Sequence, residues 1–435
     1  MRKMKDSGVE WIGEIPEGWN VTPIKAIASC YGRIGFRGYT TEDLVDDGEG
    51  AITLSPTNIV DSHIDLSKCS YLSWEKYYES PEIMIFRGDI IFVKTASVGK
   101  CAIYESDEVA TINPQFVVFK GVKCNYKFLF YNLISDVIQN QLSLNNMGGV
   151  IGTITQKALL GYKIALPDNI VQQKIVDYLD EKCSRIDAII ARQEEIIERL
   201  KEYKLSIIIE AVTKGLNPEV KMRSSGNEWI GDIPGTSVLT RAGHIFDIIL
   251  GKMLSPKPND ETDTLEEYFC AGNVHFEGVD DSDLKKMWFS SKEKEQYLVK
   301  CGDLLVVEGG AGAGGASIVT YCDRPIFVQN SILIVRGENL VQNKWLYYTL
   351  FSLVKRNYID FVCNKATIPH FTKDKLSNVP VVVFSTDETQ RIVEYLDSKC
   401  SSIDNTISIR LSAIEKLRDY KKSLIYEVVT GKKEV

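Results

Sequence analysis

The chain has 435 residues, a formal net charge of −8, 44% hydrophobic residues and 25% charged residues. That length exceeds one ordinary core and allows two or more domains, while the acidic balance excludes a protein that coats nucleic acid through bulk charge. No apolar run approaches the length of a membrane span, the first residues lack the apolar stretch of a signal peptide, and the ten cysteines and four histidines show no metal-site spacing, so free thiols, no metal and a cytoplasmic location are expected.

Residues 1–168 read as a first α/β domain. The runs GDIIFV (88–93) and FVVFK (116–120), bounded by Gly, Asn and Pro, carry strand signals, and YKFLFYNLISDVIQNQL (126–142) reads as helix. Two polar loops stand out. YGRIGFRGYT (31–40) sets Arg33, Arg37 and Tyr39 among glycines; arginine offers a planar fork to guanine edges or phosphates, and glycine lets a backbone approach closely. VKTASVGK (93–100) adds Lys94, Thr95, Ser97 and Lys100. INPQF (112–116) has the beginning of the Asn-Pro-Pro-aromatic motif with which adenine methyltransferases grip an amino group. Gln115 stands where the second proline belongs and no Gly-rich cofactor loop precedes it, so methyl transfer within this chain is not expected.

Residues 169–215 form one long helix. Ile175, Leu179, Ile186, Ile189, Ile196, Leu200, Tyr203 and Ile207 recur at steps of three, four or seven, a coiled-coil seam. Residues 216–385 read as a second α/β domain with strand runs GDLLVV (302–307) and SILIV (331–335). Its basic loops are LGKMLSPKP (250–258), with Lys252 and Lys257, and CNKATIPHFTK (363–373), with Lys365, His370 and Lys373. EGGAGAGGASIV (308–319) has the glycine spacing of a dinucleotide loop, but a pyrophosphate needs a helix N-terminus after the glycines, and the following residues look like strand and turn. Residues 386–435 form a second helix with a seam at Ile392, Leu396, Ile403, Ile407, Ile414, Leu417 and Leu424. Ser385 with Glu388 suits a capping box, and Gly215 and Gly431 stand where the helices should stop. Gln193 and Arg410 are polar residues at matching seam positions, suited to fixing register.

These parts are one plan written twice. QKIVDYLDEKCSRID (173–187) returns as QRIVEYLDSKCSSID 217 positions later (390 − 173), and YKFLFYNL returns as NKWLYYTL at the same offset. KMKDSGVEWIGEIP (3–16) returns as KMRSSGNEWIGDIP at an offset of 218. A period this long is a two-fold architecture rather than a solenoid. Each basic loop taken alone reads as solvated surface. Together they place divergent polar loops on a common frame, which suits a molecule reading two different things with one scaffold.

EWIGEIPEGW with its echo EWIGDIP, the two helical phrases, and GDIIFVKTASVGKCAIY with GDLLVVEGGAGAGGASIV resemble the specificity subunit of type I DNA restriction–modification systems, over essentially the whole chain. The second glycine loop departs by lacking the usual basic residue near its last glycines. The resemblance implies two α/β target-recognition domains separated by two long conserved helices packed as a coiled coil. It implies no catalysis, cofactor or metal in this chain. Each domain would read half of a bipartite, asymmetric site in double-stranded DNA, and the helices would set the spacer. Two modification subunits, carrying S-adenosylmethionine and methylating adenine N6, would dock on the conserved regions, and restriction subunits would add ATP-driven translocation and Mg²⁺-dependent cleavage. The rival reading is a coiled-coil scaffold with β-rich domains that bind protein or glycan. A fused restriction–methylation enzyme would carry catalytic motifs that are missing here.

Overall fold

The computed structural model describes residues 2–33, 35–145, 152–363 and 369–435. The chain forms two compact units, Met1–Gln193 with Leu411–Val435, and Glu194–Arg410. The second unit is one 217-residue period (410 − 193), so the division falls at the matched polar positions Gln193 and Arg410 and assigns half of each long helix to each unit. Each long helix thus contributes one segment to each unit.

The first unit holds a four-stranded antiparallel sheet in the order Cys101–Ile103, Ile90–Val93, Phe116–Lys120, Ser29–Tyr31. A second sheet runs Met84–Ile85, Ala110–Ile112, Gly50–Leu54, Ser70–Ser73, Leu44–Val45, with Ala110–Ile112 parallel to Gly50–Leu54. The second unit repeats the plan. Its four-stranded sheet runs Asp247–Leu250, Ile332–Arg336, Leu304–Val307, Ala316–Ile318. A three-stranded sheet places Phe327–Val328 parallel to Thr264–Phe269. Ile90–Val93 and Leu304–Val307 are buried at every position, because a strand covered on both faces must be apolar throughout and cannot alternate. Each of these strands is preceded by a carboxylate that meets a cation at the end of the next strand: Asp89 with Lys120, and Asp303 with Arg336 at 2.7 and 2.8 Å.

The long helices run Asn169–Lys214 and Thr386–Val429. Asp168 caps the first through Val171 N at 2.9 Å, and Ser385 accepts from Glu388 N at 3.3 Å at the start of the second. Both stop at a glycine with positive φ, 75° at Gly215 and 73° at Gly431. The left-handed backbone favours glycine at both positions, and at Gly431 a Cβ would also collide with the Pro16 ring. Within each unit the two helical segments run antiparallel. In the second unit Lys204 meets Asp404 while Gly215 approaches Glu388; in the first, Asp187 meets Lys421 while Tyr178 lies under Lys433.

The seam differs in detail from the heptad reading. Leu179, Ile186, Ile207, Leu396, Ile403 and Leu424 are buried as expected, and Leu200 and Leu417 are half-buried. Ile189 and Tyr203 are exposed instead, and Ile190 and Ile197, one position beyond Ile189 and Ile196, are buried. The α-helix turns every 3.6 residues, so over six turns the apolar stripe drifts away from a strict seven-residue repeat. Gln193 and Arg410 are both half-buried.

Each unit also fixes the helix Tyr126–Ile134 or its counterpart Leu340–Lys355 to its long helix by the same polar set. Tyr131 Oη and Lys127 Nζ both lie 2.6 Å from the Asp180 carboxylate, and Tyr348 Oη and Lys344 Nζ lie 2.8 and 2.5 Å from that of Asp397. Burial, and then donation to the carboxylate, push both tyrosines well above the ordinary phenol range.

Candidate nucleic-acid interface

Strand direction decides what gathers where. In the first unit Ile90–Val93 ends where Phe116–Lys120 begins and where Ser29–Tyr31 ends. The loops that follow or precede these ends, residues 32–33 with 35–39, 94–100 and 113–115, therefore collect at one end of the sheet. Residues 152–154 join them: Thr95 bridges Thr153, Ala96 N donates to Gly152 O at 3.1 Å, and Ile154 N donates to Lys94 O at 2.8 Å. In the second unit the same end gathers residues 251–254, 308–315, 329–331 and 369–371. Gly309 bridges His370 there, and Lys252 bridges Gln329. The glycine-rich segment returns directly into the strand Ala316–Ile318. No helix N-terminus follows it, as the sequence indicated.

The sequence-selected side chains divide sharply. Arg33 is 5% exposed. Its guanidinium donates to Ile112 O at 3.4 Å, Arg37 O at 3.3 Å and Thr111 Oγ1 at 3.4 Å, and lies over the Tyr39 ring. Burial lowers its pKa. Tyr39 is held in turn by Thr53 Oγ1 at 3.3 Å, and Arg37 donates to Glu79 O at 3.0 Å and lies 3.6 Å from Glu82. The expectation that Arg33 presents an open fork is thus corrected: satisfying a buried guanidinium takes several acceptors, and here those acceptors shape the loop from inside. Lys252 is likewise 6% exposed, ion-paired with Glu293 and set over Phe289, so it braces its loop.

Lys94 is half-buried, and burial lowers its ammonium pKa. Gly32 leaves the space it occupies, since a Cβ there would stand 3.3 Å from Nζ. Thr95 is half-buried, Ser97 and Lys100 are exposed, and Lys100 Nζ reaches Ile59 O at 3.5 Å. Lys257 and Lys373 are exposed. His370 is exposed, with Nδ1 3.3 Å from Glu308 Oε2. Lys365 lies outside the described residues.

Two residues at this end were not among the sequence-selected site residues. Gln115 packs beside Lys94 through Lys94 N→Gln115 O at 2.7 Å, and its side-chain oxygen accepts from Asn113 Nδ2 at 3.1 Å. The other is Glu308, which takes the place of Lys94 in the second unit, its backbone N donating to Ser331 O at 2.8 Å. Its acidity hid it from a search for cations. Among the described residues no group of three or more His, Cys, Asp or Glu is arranged to hold a metal ion, and no helix is long and apolar enough to cross a membrane.

Known proteins resemble this chain in sequence and in fold. The chain is 25% identical to a Methanocaldococcus jannaschii protein named for the specificity subunit of type I restriction enzyme MjaX, with 97% of this chain and 95% of the relative covered. It is 21% identical to the type I restriction enzyme StySPI specificity subunit of Salmonella potsdam, covering 93% and 88%. Its fold matches a chain of a solved type I restriction–modification system with a TM-score of 0.69 at 18% identity, covering 95% and 98%. It also matches the HsdS subunit from Thermoanaerobacter tengcongensis with a TM-score of 0.50 at 17% identity, covering 96% and 98%. The sequence model of the type I restriction modification DNA specificity domain matches twice, over residues 64–208 and 241–415. Two copies of that domain account for most of the chain, each with its loop cluster and its share of the long helices, and the protein belongs to the type I restriction–modification DNA specificity family.

Proposed function

We propose that this chain is the non-catalytic, DNA-reading subunit of a type I restriction–modification complex. In this reading each unit recognises one half of a bipartite, asymmetric site in double-stranded DNA, and the long helices set the spacer between the halves. The observation that carries it is the pair of equivalent loop clusters, built on the same strand ends and the same backbone contacts but presenting different side chains. A frame kept constant while its presented groups differ is what reading two different sequences requires. Since the overall charge is acidic, affinity would come from local cations such as Lys100, Lys257 and Lys373 and from the partner subunits.

Two modification subunits would dock on the conserved helical regions and supply adenine-N6 methylation with S-adenosylmethionine; restriction subunits would supply ATP- and Mg²⁺-dependent cleavage, in the cytoplasm. The test is to co-express the full chain with its modification subunit and map methylated adenines across a host genome by long-read sequencing. One asymmetric bipartite site is expected, with no activity from the purified chain alone. Methylation without sequence preference, or activity of the isolated chain, would overturn the reading.

A further inference from the structure

Lys94 and Glu308 stand at one and the same place in the two units. Lys94 N donates to Gln115 O at 2.7 Å, and Glu308 N donates to Ser331 O at 2.8 Å. The Lys94 carbonyl accepts from Ile154 N at 2.8 Å, and the Glu308 carbonyl accepts from Phe371 N at 2.6 Å. Two residues on, Ala96 and Gly310 both have positive φ, 67° and 95°, and donate to Gly152 O and Pro369 O. The backbone is held identically while the side-chain charge is inverted.

That inversion constrains what Glu308 can face. Its side chain is 16% exposed, and Oε2 is turned to Nδ1 of His370, whose own side chain is 60% exposed. A carboxylate is repelled by phosphates, so at a DNA-facing end it is tolerated only against a base edge that donates. In the major groove guanine offers N7 and O6, and thymine O4, all acceptors. Adenine offers its N6 amino group beside the N7 acceptor, which repels the carboxylate. Cytosine offers its N4 amino group with no neighbouring acceptor.

We propose that Glu308 is a specificity-determining residue of the second unit and reads cytosine through its N4 amino group. His370 engages Oε2 and holds the carboxylate, and Oε1 accepts. This rests on the DNA-recognition reading above. It assigns to one acidic side chain a base that a search for basic residues would never have assigned.

The test uses the full chain assembled with its modification subunits, as parent, E308Q and E308K, against duplexes altered at each position of the recognised site in turn. The parent should prefer cytosine at one position of one half-site by roughly tenfold or more. E308Q, close in shape but facing the base with its Nε2 donor while His370 holds the amide oxygen, should lose the preference for cytosine in favour of a base edge that accepts, and E308K should shift it to guanine. The other half-site should be read unchanged by all three proteins, which also reports that they are folded and assembled. E308Q retaining the parent's base preference at every position would overturn the inference, as would uniform weakening with no change of preference. A parent complex that selects no sequence at all would instead overturn the DNA-recognition reading itself.

Discussion

The ammonium of Lys204 lies 2.8 and 2.7 Å from the two carboxylate oxygens of Asp404, and 217 positions on, with donor and acceptor helices exchanged, Lys421 lies 2.7 Å from both oxygens of Asp187. Each pair closes the antiparallel helical segments of one unit. Asp404 is half-exposed while Lys204 is mostly covered, so the pair should be worth about 0.5–1 kcal/mol. A double-mutant cycle on Lys204→Met and Asp404→Asn, read by urea unfolding, should give coupling of that size, shrinking at high salt. Coupling near zero at low salt would show that the contact adds nothing to helix pairing.

Arg33 and Lys100 should separate stability from binding. Arg33→Ala removes a buried guanidinium and leaves the Ile112 and Arg37 carbonyls short of a donor, so it should destabilise the first unit by about 1–3 kcal/mol. Lys100→Ala should change stability by less than about 0.5 kcal/mol. If Lys100 meets a phosphate, its loss should weaken binding to all duplexes alike and lower the salt dependence by about one ion. Thermal unfolding and salt-dependent titration distinguish the two. Equal stability of parent and Arg33→Ala would contradict the buried role.

Alkali should weaken the fold. Burial pushes the thiols of Cys30, Cys124, Cys183 and Cys400 up to about 11, against 9.0 for a free thiol. A folded value above the unfolded one means that the stabilisation is complete below about pH 9 and is lost as pH rises towards 11. The urea midpoint should therefore fall across that window, and Cys183→Ala with Cys400→Ala should flatten part of the fall. In parallel, Cys301, which is exposed, should be alkylated at pH 8 long before Cys183 or Cys400.

A half-molecule should self-associate. Residues 1–216 keep Leu179, Ile186 and Ile190, which are buried in the full chain, but lack the Leu411–Val435 segment that completes the first unit. An apolar stripe left bare along a helix drives association, and two identical halves should pair about a two-fold axis. Light scattering should give a dimer, and with the modification subunit that dimer should methylate a palindrome of the first half-site. A soluble monomer would break the argument.

The duplicated plan, the two long helices, their glycine stops and the strand-rich segments between them were all legible in the amino-acid order. They rest on local rules: apolar periodicity, capping chemistry, and the need for glycine where φ turns positive. What the loops do was not legible, because a loop residue's role depends on what strand topology brings beside it. Arg33 and Lys252 look like presented cations in sequence, and only the packed structure shows acceptors and Glu293 closing on them. Ile189 and Ile190 are equally apolar neighbours, and only the accumulated turn of the helix decides which one faces inward. Glu308 carries no local signal at all. Its importance comes from matched hydrogen bonds to Ser331 and Phe371, which reach across sequence separations that no local pattern encodes and set a carboxylate where the first unit sets an ammonium.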